Sequence, residues 1–552
     1  MILRIFTILH KIFQDISFIF FIFQKKFGLI REKKFDLKLF FELQSFLKEF
    51  GKYSSFEKKV KIDKEEYPDF LREKIFLNII RWKDLSKIRR IKEIERGDFF
   101  YLKFLQGEVD EREMESFLNE KVKKYIFPNG FIWRDGLEAS IWFVRFSIFI
   151  SELKENKRKK YYNYLTLLGM SIEKNLSLFG SKNNHYMGEL CALYSYYRVI
   201  SNDKRAEKIS RLIEREFFRQ FSPFGIYLEG TSYQIQVLEW LFLYLFFKDK
   251  PDEKFLENVK KAFNFLENYF SLKHNISIGD NDDGNIVSPP FTLWGRYLFL
   301  RYLYSKYFED LEKVLLPLKS GYYMDSLFND FFLILKCGEV ELPPFYVHSH
   351  ADNGSFIIFF KEFPFLVDSG TYCYRCDPKL RGYFRGVSAH NVFLIDGNFY
   401  KMRSFFGWKK LPEKGEISEV KFLGDKIEID FSVSLDKKVK IMRHLIFSKN
   451  KIQIRNSVKG INGKVKCFRY YNFHPSWDVL RKEEFFLLKR KNFGVLFSNK
   501  SGSLNVLKGE NGKMSLFSEK FYSKVDKFSF EIVDEIWDGK EIVDNFEFLC
   551  EE

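Results

Sequence analysis

Cysteine is scarce, with six in 552 residues, too few for the disulfide framework that staples small secreted domains. A reducing compartment is compatible with that count. Cys373 and Cys376 form a single C-x-x-C. No second pair stands at zinc-ribbon distance and no thioredoxin-like βαβ pattern surrounds it, so neither a zinc-ribbon nor a redox role is assigned to it. Long apolar runs are also missing. The N-terminal stretch is apolar but broken by Arg4, His10, Lys11, Gln14 and Asp15. Its uninterrupted run, Ile16 to Phe23, is about half the length of a bilayer span, and no small-residue cleavage site follows. This stretch reads as an amphipathic helix, either packed on the body of the protein or lying on a membrane surface with Lys25, Lys26, Arg31, Lys33 and Lys34 toward anionic lipid. Zinc-finger spacing, an RNP-type aromatic signature and a G-x-x-x-x-G-K-[ST] loop are all lacking, which argues against nucleic acid and nucleotide as partners.

What is present is ample core material and an excess of positive charge. The chain is 46% hydrophobic and 30% charged, as in folded globular proteins, and its length calls for two or more large domains. The 68 phenylalanines are read in part as codon usage and given no function. Ninety-one Lys and Arg against 75 Asp and Glu leave a net +16, which favours acidic partners, among them anionic polysaccharide.

The hydrophobic period changes along the chain. Phe255, Leu256, Val259, Phe263, Leu266 and Phe270 recur at intervals of three and four, the spacing of one helix face, and similar patterns run from Ile141, Tyr161 and Val237. Beyond Gly321 the period is two: Ile427, Ile429, Phe431, Val433 and Leu435 alternate with polar residues, with turns at Asp396-Gly397, Gly424-Asp425 and Asn462-Gly463. Helices followed by strands predict an α half and an antiparallel β half, with the seam near Pro317 to Gly321. The expected domains are 1–95, an N-terminal helical segment packed on the body or lying on a membrane surface; 96–316, helical; and 317–552, antiparallel β.

Four segments concentrate polar groups where the local pattern wants apolar ones. In the first, Asn184 opens a predicted helix, and His185 and Glu189 lie four apart on one face, where the carboxylate can orient the ring. A capping asparagine beside a surface His-Glu pair would read the same. In the second, Glu229 and Tyr233 stand at a Gly-punctuated helix start, and a tyrosine near cations can ionise below its usual range and act as a base. The third, SIGDNDDGNI from Ser277 to Ile286, lacks the acidic ligand spacing of a calcium loop and reads as a loop of Asx turns. The fourth pairs His348 and His350 on one side of an extended segment, then Asp368, Arg385 and His390. Two imidazoles and a carboxylate are a common zinc set; the pattern leaves open which histidine ligates and which stays free.

Together, Asn184-His185 with Glu189, Glu229-Gly230 with Tyr233, His348-x-His350-x-Asp352 with Asp368-x-Gly370-Thr371, and Arg385 with His390-Asn391 resemble the heparinase II/III family of polysaccharide lyases, in order over roughly residues 130 to 400. The resemblance implies an N-terminal incomplete (α/α) toroid followed by a C-terminal antiparallel β-sandwich. It implies catalytic roles for Asn184, His185, Tyr233 and His348, substrate contacts from Glu189, Glu229 and Arg385, and a structural zinc on His350, Asp368 and His390. The implied reaction is β-elimination at a 4-linked uronic acid. A uronyl C5-epimerase, or a non-catalytic glycan-binding protein of surface-polysaccharide synthesis, uses the same features. Gln234 departs from the pattern, since the tyrosine is often followed by histidine there. The lack of a leader points to a cytoplasmic or inner-membrane-associated protein, whereas the family resemblance implies a periplasmic one.

Overall fold

The computed structural model describes residues 33–53 and 98–550, short internal stretches apart, together with a few positions among residues 14–30. Most of the N-terminal amphipathic stretch therefore lies outside the described residues. No helix among the described residues is long and apolar enough to cross a membrane.

The helical half contains α1 (Lys38–Tyr53), α2 (Asp98–Leu105), α3 (Glu111–Lys124), α4 (Gly136–Ser151), α5 (Tyr162–Lys174), α6 (Asn184–Val199), α7 (Asp203–Gln220), α8 (Thr231–Phe247), α9 (Glu253–Tyr269) and α10 (Leu293–Tyr304). The central helices pack on near neighbours in sequence: α6 touches α4, α5, α7 and α8, and α8 touches α10. The result is an incomplete (α/α) toroid. Two helices form its hub, since every residue of α4 and of α8 is buried. Such helices are apolar all round and show no amphipathic stripe. Outer helices keep one: α9 buries Phe255, Val259, Phe263 and Leu266, the face read from the sequence. Helix α1 shares the same core through Phe40, Leu43 and Leu47, each worth ~1.5–3 kcal/mol of transfer free energy when removed from water.

At the seam a 3₁₀ turn, Leu318–Ser320, ends on Gly321 at φ 80°, a left-handed value that glycine adopts without strain. Strands β1 (Tyr322–Leu327), β2 (Phe331–Lys336), β3 (Ser355–Phe360) and β4 (Phe363–Leu366) then form an antiparallel meander. An eight-stranded antiparallel sheet follows, and a four-stranded one is built around Val465–Asn472 and Phe528–Ile536. The alternation at Ile427, Ile429, Phe431 and Val433 is a strand, Lys426–Ser434, with those side chains in the core between sheets. This is a β-sandwich. Between β4 and its next strand the chain detours through helix α11 (Pro378–Arg385), and that detour faces the toroid.

Candidate active site at the domain junction

The toroid contributes two helix starts and a loop. Asn183 precedes α6 in the N-cap position but makes no side-chain cap bond; instead its Nδ2 donates to Glu229 Oε1 at 2.6 Å. Asn184 Nδ2 donates to Gln236 Oε1 at 2.9 Å, a bond from α6 to α8. His185 is half-buried on the first turn of α6. The capping-asparagine reading is thereby overturned: each amide gives one N–H to Glu229 or Gln236, not to the helix end.

Helix α8 starts at Gly230, whose φ is 120° and whose added Cβ would stand 2.7 Å from Ile278 O. That close approach lets residues 229–233 lie against the loop 277–281, pinned by Thr231 N–H to Ile278 O at 3.2 Å and Ser232 Oγ to Asn281 Oδ1 at 2.6 Å. Tyr233 comes next and is buried. Gln234 accepts from Tyr227 N–H at 2.9 Å and donates to Gly225 O and Ala262 O, both at 2.9 Å. It therefore braces the loop behind Tyr233.

The β half contributes His348, His350, Thr371, Tyr374 and Arg381. The Tyr233 and His348 rings lie 4.3 Å apart, and the Tyr233 and Tyr374 hydroxyls are 2.7 Å apart. The Arg381 guanidinium covers the Tyr374 ring at 4.9 Å. Cys373, beside Tyr374, is disulfide-bonded.

Asp280 joins the two halves. Its buried carboxylate receives Arg381 Nη1 and Nη2 at 2.5 and 2.7 Å, His348 Nδ1 at 3.0 Å and His350 Nε2 at 2.9 Å. Burial opposes its ionisation, but Arg381 and the two histidines outweigh that and hold its pKa well below the usual carboxylate value. His348 is shifted upward: burial works against the imidazolium, while Glu229 and Asp280 favour it and prevail. His350 is shifted downward by burial. The reading of residues 277–286 as a mere Asx-turn loop is corrected by Asp280; Asp282 and Asp283 lie outside the described residues.

His350, Asp368 and His390 form the cluster that fits a metal ion, with one ligand atom from each within 4.8 Å of the others. His350 uses Nε2 on Asp280, and His390 uses Nδ1 on Asp368 Oδ2 at 2.8 Å. The remaining nitrogens, His350 Nδ1 and His390 Nε2, are buried without any hydrogen-bond partner. Orphaned imidazole nitrogens beside a carboxylate are what a nitrogen- and oxygen-preferring divalent cation satisfies.

Three expected substrate contacts are placed otherwise. Glu189 is fully buried, and its oxygens accept the Ser177 N–H at 2.6 Å and the Ser177 hydroxyl at 2.7 Å. Burial raises its pKa to about 8 despite those bonds. It fastens the loop leading to α6 and is out of reach of a polymer. Arg385 is buried too, donating to Ser349 O and Tyr346 O at 3.0–3.2 Å and stacking on Trp408. Its side chain holds the His348–His350 segment from behind. Glu229 is closed in by Asn183 and by the Tyr227 hydroxyl at 3.1 Å, and it acts on His348 through its charge. Asp280, Arg381, Tyr374 and Gln236 were not singled out by sequence. For Asp280 the available signal was an acidic cluster between two glycines; for the other three there was none.

Residues 313–524 match the family model described as heparinase II/III-like, C-terminal. The β half of this chain is a heparinase II/III-like domain. Solved structures extend the likeness over the toroid. One titled heparinase III is 15% identical, with 83% of this chain and 76% of that chain covered at a TM-score of 0.61. The heparan sulfate lyase HepC from Pedobacter heparinus is 14% identical, with 92% and 88% covered at a TM-score of 0.55. No curated protein sequence matches the chain. At such identities the chain shares a fold with those lyases, the toroid and sandwich described above.

Proposed function

We propose that the protein is a polysaccharide lyase that cleaves a 4-linked uronic-acid-containing anionic polysaccharide by β-elimination. The observation that carries this reading is the meeting of Tyr233 and His348, from different domains, at 4.3 Å, with Asn184 tied to the same helix one turn further on. The C5 proton of a uronate is weakly acidic because a second negative charge must build up beside the carboxylate. Donors aimed at that charge are each worth about 3–4 kcal/mol of barrier. Asn184 and His185 supply such donors from the toroid. His348, with Nδ1 held by Asp280 and its charged form favoured, presents Nε2 from the other side.

Tyr233 or His185 takes the C5 proton. The C4–O bond breaks as the C4=C5 bond forms, and the electron pair leaves on the C4 oxygen, which receives a proton from Tyr233. Tyr374, half-buried and 2.7 Å from Tyr233, gives that hydroxyl a hydrogen-bond partner through both transfers. We assign His350, Asp368 and His390 as zinc ligands. Bound there, zinc supplies a fixed positive charge that braces the β-half loop. The net +16 suits an anionic polymer.

The test is a panel of uronate polymers followed by the ultraviolet absorbance of the unsaturated product. New absorbance with at least one polymer is expected. Deuterium entering C5 without absorbance would replace the lyase by an epimerase, and neither signal with any polymer would overturn the catalytic reading.

A further inference from the structure

One tryptophan stands apart from the others. Among the described residues Trp133, Trp142, Trp240, Trp408 and Trp477 are buried and Trp294 is half-buried, whereas Trp537 is 41% exposed. It lies in the turn between the strands Phe528–Ile536 and Glu541–Cys550. That turn is held firmly. Lys540 N–H donates to Trp537 O at 3.0 Å, and Asp538 Oδ2 accepts the Gly460 N–H of the neighbouring turn at 2.9 Å. A ring carried on a fixed backbone loses little freedom when a ligand settles on it.

Two ammonium groups flank the ring, Lys540 Nζ at 4.6 Å and Lys464 Nζ at 5.4 Å from its centre. They are held differently. Lys540 is anchored to Glu535 O at 2.5 Å and to Asp534 Oδ1 at 3.4 Å. Lys464 is exposed, and among the described residues no carboxylate pairs with it. The next strand, Val465–Asn472, repeats the pattern on the same face, where Lys466 lies over the half-buried Phe468 ring at 5.3 Å. Glu535, opposite Lys466 in the ladder, offsets one of these charges. The strand ends at Asn472, whose Nδ2 donates to His390 O at 2.9 Å. Its eight residues at ~3.3 Å each set the Trp537 turn about 25 Å from the His390 segment.

A pyranose presents a face of C–H groups, slightly positive, which suits the negative face of an indole. Its anionic substituents project from the rim, where a mobile cation can meet them. We propose that Trp537 and Lys464 form an accessory binding site for an anionic polysaccharide, remote from the catalytic pair. The ring takes the apolar face of a uronate, and Lys464 leaves the ring to pair with the sugar's carboxylate. The polymer class rests on the reading above; the binding does not require the reaction.

The experiment measures affinity for heparin, polygalacturonate and alginate, with dextran as the neutral control, in the full-length Tyr233→Phe chain so that turnover does not intervene. At least one anionic polymer should bind and dextran should not. Trp537→Ala is expected to weaken that binding about tenfold at low and high salt alike. Lys464→Ala should weaken it and also reduce its salt dependence. Lys464→Glu, a change on an exposed side chain, should weaken it further, and it decides the matter if Trp537→Ala fails to fold. In the catalytic chain, Trp537→Ala should raise KM for long polymers with kcat unchanged and leave oligosaccharides shorter than the 25 Å span unaffected, since only a long chain occupies both sites. Affinity unchanged in Trp537→Ala, with or without a loss in the lysine variants, would assign the binding to diffuse charge and overturn the site. Equal losses on long and short substrates would overturn its remoteness. No binding to any anionic polymer, or Trp537-dependent binding to anionic phospholipid vesicles alone, would overturn it as well. A wild-type chain that cleaves nothing yet binds polymer through Trp537 sinks the lyase reading and leaves this inference standing; cleavage with unaltered binding in Trp537→Ala does the opposite.

Discussion

Replacing Asp280 by asparagine keeps the size of the side chain and removes its charge. In the structure that carboxylate touches Arg381, His348 and His350 at once, and it crosses from the toroid to the sandwich. Arg381 is almost fully buried, so the substitution takes the facing carboxylate from a guanidinium held away from water. Breaking a buried pair from one side costs about 3–5 kcal/mol. A loss of that size is expected in the unfolding free energy from urea denaturation followed by tryptophan fluorescence. Pairing Asp280→Asn with Arg381→Met should recover a large part, because an uncharged pair has no stranded cation. The wild-type advantage is also pH-dependent. The folded Asp280 pKa is depressed, so its contribution is fully present above the unfolded carboxylate value of about 3.9 and is lost as pH falls further, through the folded value. Asp280→Asn unfolding at the wild-type urea concentration at neutral pH would refute the assignment of Asp280 as the junction between the domains. A double variant no better than Asp280→Asn would refute the stranded-cation argument.

Other outcomes follow from the same geometry. Glu189 has a folded pKa raised to about 8, so its contribution is fully present below the unfolded value of about 4.3 and declines as pH rises through 8. At 1.36 kcal/mol per unit the span is about 5 kcal/mol, and Glu189→Gln should flatten that part of the stability-pH curve measured by denaturation. Tyr233→Phe should reduce turnover by about a hundredfold or more, the scale of general acid–base assistance, with polymer affinity in a binding assay changed only a few-fold. Elemental analysis of the purified chain should find about one zinc per molecule when the set of two histidines and one aspartate is complete. His390→Ala should lose that metal along with stability of the β half in limited proteolysis.

The two periods in the sequence stated the architecture well because outer helices and sandwich strands bury one face each, as at Phe255–Phe263 and Ile427–Val433. The hub helices were harder, since α8 is buried on every side and its spacing carries no direction. For the site, the histidines and Asp368 were legible because clustered ionisable groups in an apolar strand context need a reason. Glu189 and Arg385 carried the right chemistry for substrate contacts, yet burial turned one into a loop fastener and the other into a backbone brace; spacing along the chain does not encode depth. Asp280 shows the opposite failure. Its partners are 68 to 101 residues away, and nothing local to the loop announces that a charge pair will form across a domain boundary.

Gly230 and Gly279 bridge backbone to backbone where the start of α8 meets the Asp280 loop. A methyl group on the first would collide with a carbonyl of the second segment, a strain carried straight into Tyr233 and its 4.3 Å contact with His348. The seam between toroid and sandwich therefore depends on one backbone contact that no side chain could replace.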